Sequence, residues 1–517
     1  MKQLSLWIIL FCTAVILYAN YTLKLYNQSG RIIESDVKHY YAWIPAVFVY
    51  DDISLEFLDK NPDSNHDNFI TIDRFEGRLF FKATMGVAIL QSVFVVPVHY
   101  YLKLTGGLAD GFSTPYKLAL VLSSIFYFVL SLFIIRYLLL KKMKAGELAT
   151  SLTLLIIGLG TNLVIYVTRE PAMSHVYSFF TIGLLVYLID RLFNRPTWVI
   201  GVLVGIVFGL VTLIRPINFI TGILFLAWNV TSLTDFKERI LFYIKKPGIT
   251  AAIIISFVLI WVPQFLYYKF LTGKYEFFGY GSGGGFFFNN PQIISNLFSY
   301  RKGWFLYTPL MLLAIFGLIP LFKFHRKYFW ATIIILLLLV YINSSWYSWW
   351  FGGGYGQRAY IDIFVLLAFP IAALLNRAFS HGILLKIASI TTVIILVLHN
   401  GFQVVQYLNG AVHFVGMTKE AYWESFGKLK PSYKFEAYLE IPDMELAKKG
   451  IYPKPAPKNY TKEDWLKYIE KRFRQNPETM EFLSNKAKTN NRPLDSVIKD
   501  DAKYVYKLEI EKQKNEE

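Results

Sequence analysis

Residues 84–104 read TMGVAILQSVFVVPVHYYLKL, and the way this apolar stretch meets a bilayer decides the fold of the chain. A crossing needs about 20 predominantly apolar residues, so length alone admits one. The flanking charge opposes it. If 84–104 crossed, the run from Arg136 to Lys144, with Lys141, Lys142 and Lys144, would lie outside, whereas short cytoplasmic loops are the ones that collect Lys and Arg. The stretch, interrupted by Pro97 and His99, is therefore read as a helix lying in or dipping into the outer interface.

Composition agrees with a multi-pass chain. Of 517 residues, 55% are hydrophobic and 18% aromatic, more apolar side chain than a soluble core uses. The formal net charge is +17, but residues 418–517 hold 21 basic and 18 acidic side chains, so nearly all of the excess lies in the apolar part. Basic membrane loops account for it, and no nucleic acid is implied. A lone cysteine, Cys12, excludes an intrachain disulfide and a thiolate metal cluster, and reads as a small lipid-facing residue.

The expected fold class is an all-α polytopic membrane protein. Residues 5–25 form an uncleaved first helix, because further spans follow. Crossings follow at about 117–140, 147–167, 173–192, 197–214, 217–233, 249–270, 304–323, 329–344, 359–376 and 382–402, about eleven in all. The basic loops 136–146, Arg191 to Arg195, Lys237 to Lys246 and Lys323 to Lys327 then fall on the cytoplasmic side. Residues 1–402 make the membrane domain, with 26–116 as a first outer loop carrying interfacial helices. Residues 403–517, broken by Pro453, Pro455 and Pro457, make a small outer domain or tail.

The chemistry gathers in the outer segments. Residues 33–45, IESDVKHYYAWIP, leave the first helix and present Glu34, Asp36 and Tyr40. Asp36 is the first candidate for a general base, although Asp and Ser at a helix start serve equally well as caps. Residues 168–175, TREPAMSH, add Glu170 and His175 between two spans, where ionisable groups are costly unless they face a polar cavity. His175 also reads as an ordinary buried histidine. Arg215 before Pro216 must snorkel, pair or hold a phosphate. The run Gly279–Gly285 suggests a mobile lid, followed by Arg301 and Lys302. Last, residues 346–358, WYSWWFGGGYGQR, set aromatics and glycines before Arg358. Aromatic faces such as Trp350 suit sugar rings, and the guanidinium fork suits phosphate.

With an acidic motif just after the first span, an interfacial helix before the next, and a late Trp-x-x-Trp-Trp-x-Gly-Gly-x-x-Gly-x-Arg loop, the chain resembles the GT-C superfamily of polytopic glycosyltransferases over residues 5–402. The likeness is to the type that uses polyprenyl-phosphate sugars to transfer mannose or aminoarabinose. It implies a GT-C-like bundle whose catalytic carboxylate is Asp36, supported by Glu34 or Glu170. Arg358 would hold the lipid phosphate, joined by Arg301, Lys302 or Arg215. The departure is Glu-Ser-Asp where better-known members show adjacent Asp-Glu.

The implied reaction moves a sugar from a polyprenyl-phosphate donor to a lipid, glycan or protein acceptor on the outer side of a membrane, here a bacterial inner membrane with the site facing the periplasm. It requires no ATP and no obligatory cofactor, and it leaves room for a divalent cation. An O-antigen-type polymerase or ligase, or a lipid or solute transporter, are the competing readings. Neither explains a carboxylate placed directly after the first helix, and no repeated halves favour the transporter.

Overall fold

The computed structural model describes residues 3–60, 74–276, 284–432, 434–454 and 460–516. Among these the regular structure is helical apart from one short hairpin, Arg74–Phe75 paired to Arg78–Leu79, and an isolated bridge between Phe286 and Trp346. Eight helical stretches are long and apolar enough to cross a bilayer: Leu4–Asn27, Gly86–Thr105, Thr114–Met143, Ser174–Asn194, Pro247–Thr272, Arg326–Ser345, Arg358–Ser380 and Ile383–Leu408. Such a set marks a multi-pass integral membrane protein.

Four of the expected crossings appear as shorter apolar helices, Glu147–Leu159, Trp198–Ile214, Pro216–Ala227 and Pro309–Phe324, and local chemistry explains why. The helix Glu147–Leu159 stops at Gly160 and restarts as Leu163–Thr168. Asn400 donates to the carbonyls of Leu159 and Thr161 at 2.9 and 3.1 Å, which supplies partners to the broken turn. Pro216 lacks an N–H and cannot continue the helix before it, so the chain tightens into a 3-10 stretch over Pro216–Ile223. The expected basic loop from Lys237 to Lys246 is mostly a helix, Leu233–Lys245, started by a capping box between Ser232 and Asp235.

Small residues set the helix spacing. Trp198–Ile214 packs on Pro247–Thr272 through Gly201, Gly205 and Gly209, and a Cβ at Gly205 would fall 2.2 Å from the Ile253 carbonyl oxygen. This is the close backbone approach that glycines at four-residue spacing permit. Cys12 is fully buried, with its sulfur against Gly158, which corrects the lipid-facing reading.

The segments that precede and follow the helix Gly86–Thr105 are both bonded to one short stretch. Trp43 Nε1 donates to the Ala83 carbonyl at 2.9 Å, and Tyr41 OH donates to the Gly111 carbonyl at 2.5 Å. Gly86 itself lies so close to Leu213 and Ile214 that a Cβ would meet backbone at 2.4 Å. Midway, Gln91 donates to the Ala172 carbonyl at 3.0 Å.

The described residues divide into two units, Met1–Val404 with Met444–Ile451, and Val405–Asp443 with Tyr452–Glu517. In the second unit, Lys462–Gln475, Pro477–Thr489 and Leu494–Glu516 surround a small core of Leu483, Ala487, Val497 and Ile498. Residues 455–459, with Pro455 and Pro457, lie outside the described set.

Candidate functional site

Asp36 is the first residue of the short helix Asp36–Tyr41, and the chain reaches it through strained backbone. Ile32 and Ser35 have φ of 70° and 48°, which non-glycine residues adopt at a cost of order 1–3 kcal/mol. The capping alternative is not what the side chains do. Ser35 makes no side-chain cap, and the Asp36 carboxylate accepts a hydrogen bond from Arg358 Nη2 at 2.9 Å.

Arg358 reaches Asp36 from a loop that is fastened on several sides. Asn296 and Gln357 both donate to the Trp349 carbonyl, at 3.0 and 2.9 Å. Asn162 donates to the Tyr355 carbonyl at 3.3 Å, and Tyr360 stacks on Trp304 with centroids 4.1 Å apart. The glycines are dictated by conformation and space. Gly354 has φ of 139° and lies where a Cβ would come within 2.7 Å of the Tyr166 hydroxyl, and Gly356 has φ of 59°. Lys302, 2% exposed, donates its amino group to the Gly354 carbonyl.

The Asp36 side chain keeps 54% of its surface accessible, so it lines an open recess. Desolvation works to raise its pKa, but the Arg358 charge and hydrogen bond, with His39 and His175 beyond, hold the carboxyl below its ordinary range. Asp36 is therefore ionised. Glu170, in the turn between two helices, is pushed the other way. Burial raises its pKa against the attraction of Arg358, Arg169 and Lys302. Burial also lowers Lys302 to about 7, helped by Arg358 and Arg301 and opposed by Glu170. Tyr40 is raised by burial and by Asp36, and it interacts with Arg215, Ser174 and Arg358.

Behind Tyr40 lies a second network that the sequence reading missed. Asp362 is fully buried and accepts from Arg215 Nη1 at 2.7 Å and from Asn218 Nδ2 at 3.0 Å. His175 Nδ1 stands 3.5 Å from its other oxygen, the outer limit of hydrogen bonding. Arg215 is thus paired with a carboxylate, one of the alternatives open to an arginine in an apolar stretch. His175, 2% exposed and edge-on to Tyr166, is held as a buried side chain behind the recess. The signal for Asp362 was a single carboxylate four residues after Arg358 inside an apolar run, a position that is costly unless paired.

The remaining candidates lie around this centre. Glu34 pairs with Arg31 at 3.4 Å and repels Glu170 electrostatically. The Arg301 guanidinium sits 5.7 Å from the ring centroid of Trp350, which is 3% exposed. The lid expected over Gly279–Gly285 falls, for residues 279–283, outside the described set. Among the described residues, no group of three or more His, Cys, Asp or Glu side chains is placed to hold a metal ion.

Beginning seven residues after Asp36 in the chain, at Trp43, an apolar groove of about 470 Å³ runs between Trp43, Phe48, Met85, Ile89, Pro263 and Phe270. Its wall is built by Trp43 stacked on Phe81 at 3.9 Å and edge-on to Tyr267 at 4.6 Å. No protein-family model matches the chain, and a search of curated protein sequences finds no match.

Proposed function

We propose that this protein is an integral-membrane glycosyltransferase of GT-C type, which moves a sugar from a polyprenyl-phosphate donor to an acceptor outside the membrane. The observation that carries the reading is the 2.9 Å pairing of Asp36 with Arg358, a carboxylate and a guanidinium brought together from opposite ends of the membrane unit. A solvent-accessible carboxylate beside a phosphate-binding group is what sugar transfer from a lipid phosphate needs: one partner takes the acceptor proton, and the other stabilises the departing phosphate.

The supporting features have distinct roles in this reading. Arg358 turns from Asp36 to the donor phosphate, which releases Asp36 from the charge that depresses its basicity. Lys302 adds a second cation to the phosphate. Glu170 orients Arg358 and Lys302, and Tyr40 links the recess to the Asp362 network. Tyr40 offers a ring face to the sugar, and the groove beside Trp43 takes the first isoprene units of the donor. Counting the four shorter apolar helices as crossings and Gly86–Thr105 as interfacial gives eleven spans.

The test is release of free polyprenyl phosphate when purified protein in liposomes is given a lipid extract containing polyprenyl-phosphate sugars. The reading predicts acceptor-dependent release, read by mass spectrometry. Intact donor in every acceptor-supplemented sample, with the protein folded and inserted, would argue against transferase activity.

A further inference from the structure

The helix Leu233–Lys245 has no buried residue, and its apolar side chains are not scattered. Leu233, Phe236, Ile240 and Ile244 recur at three- and four-residue steps along one side, with Leu233 82% and Ile244 66% exposed. The roll of the helix is fixed. The Arg239 guanidinium lies 3.2 Å from the Phe193 ring centroid, and Tyr243 OH donates to the Phe225 carbonyl at 3.0 Å. The apolar side is therefore presented, not turned inward.

We propose that Leu233–Lys245 lies in the plane of the membrane surface, with Leu233, Phe236, Ile240 and Ile244 in the acyl–headgroup boundary and Lys237, Lys245 and Lys246 on anionic phospholipid headgroups. Its place in the fold supports a lipid occupant. Phe193 ends the long apolar helix Ser174–Asn194, and the next long apolar helix, Pro247–Thr272, begins two residues after Lys245. That second helix also exposes Ile254, Ile255, Val258 and Leu259, the surface expected of a helix in lipid.

Charge selects the headgroup. Asp235 is taken up by Thr231 and Ser232 in the capping turn, which leaves Glu238 against Lys237, Lys245 and Lys246. The same end of the molecule carries Lys142, paired with Asp190 at 2.6 Å, near Arg191 and Lys141. Lys245 and Lys246 stand at the end of the helix, and Lys237, one turn from Leu233 on its apolar side, snorkels to the headgroups, so the helix binds by apolar burial plus attraction to anionic lipid. A second protein as occupant would have to cover an apolar strip ringed by like charges.

The experiment uses the full-length protein with Cys12→Ser and single spin labels at Ile240→Cys or Glu238→Cys, reconstituted in nanodiscs of neutral lipid or of neutral lipid mixed with phosphatidylglycerol. The two positions lie about 160° apart around the helix. The proposal expects the label at 240 to collide several-fold more with oxygen than with a water-soluble nickel chelate, and the label at 238 to show the reverse. Removing phosphatidylglycerol, or replacing Lys237, Lys245 and Lys246 with Gln, should shift the 240 label toward water. Equal nickel access at both positions would refute the in-plane assignment. Exclusion of both reagents at 240 would assign the face to a protein partner and also overturn it. Depth unchanged by lipid charge and by the Gln variant would remove the anionic headgroup from the account.

Discussion

Asp36 lines an open recess, is ionised, and is held by a guanidinium that turns to another partner during turnover in the proposed reaction. Asp36→Asn keeps the shape and lowers basicity, so the transfer rate should fall by the general-base factor of roughly 10²–10⁴. Glu34→Gln should leave most of the rate, because Glu34 is paired with Arg31 and not with Arg358. A larger loss at Glu34 in a single-turnover assay would move the base two residues upstream. Arg358→Lys keeps the charge but loses the fork, and donor affinity should weaken by about 1–3 kcal/mol in a lipid-phosphate binding measurement. Lys302 gives a pH signature. With its pKa at about 7, it is mostly neutral in alkaline solution, while a bound phosphate anion favours its charged form. Donor binding therefore takes up a proton, and affinity should fall as pH rises above about 7, by up to about tenfold per unit. A Lys302→Met variant should lose that slope in titrations from pH 6 to 9. Much of this centre was legible in the residues themselves: a carboxylate after the first helix and an arginine behind glycines. Asp362 was not, because an apolar stretch conceals one charged residue unless its partner, Arg215 from 147 residues away, is known.

Helix positions were readable where hydropathy is sustained and blurred where the backbone breaks. Gly160 and Pro216 interrupt apolar runs that look continuous by composition, and the structure uses both breaks near the site. Asn162 supports the loop at Tyr355, and Arg215 turns toward Asp362. The amphipathic helix at 233–245 read as a loop because it is a short basic stretch between two long apolar runs, although a serine followed three residues later by an acid announces its start. The helix Gly86–Thr105 carries a direct test of how elements hold the centre. A methyl at Gly86 would strike the backbone of Leu213 and Ile214, immediately before Arg215. Gly86→Ala should therefore cost about 1–3 kcal/mol as an overpacking change and disturb Arg215 with it, seen as a lower Tm in detergent and as reduced turnover. An unchanged Tm would mean that this helix is not wedged against its neighbour as described.

For the whole molecule, the account joins three things that sequence order keeps apart: a carboxylate exit from the first helix, a cationic loop more than 300 residues later, and an apolar groove between helices. Hydropathy and charge bias foretold a membrane bundle. They could not foretell that the two charged segments touch, since long-range pairing is fixed by packing across helices and leaves no periodic trace in the chain. Sugar transfer from a lipid phosphate is the central claim, and the most direct test is mass analysis of polyprenyl-phosphate species and envelope glycans in cells lacking the protein, with the gene restored as wild type or as Asp36→Asn. The account predicts that cells lacking the protein, and cells carrying Asp36→Asn, accumulate a polyprenyl-phosphate sugar and lose one sugar mass from an acceptor, and that wild type restores both. Identical profiles for wild type and Asp36→Asn, at equal protein levels, would contradict it.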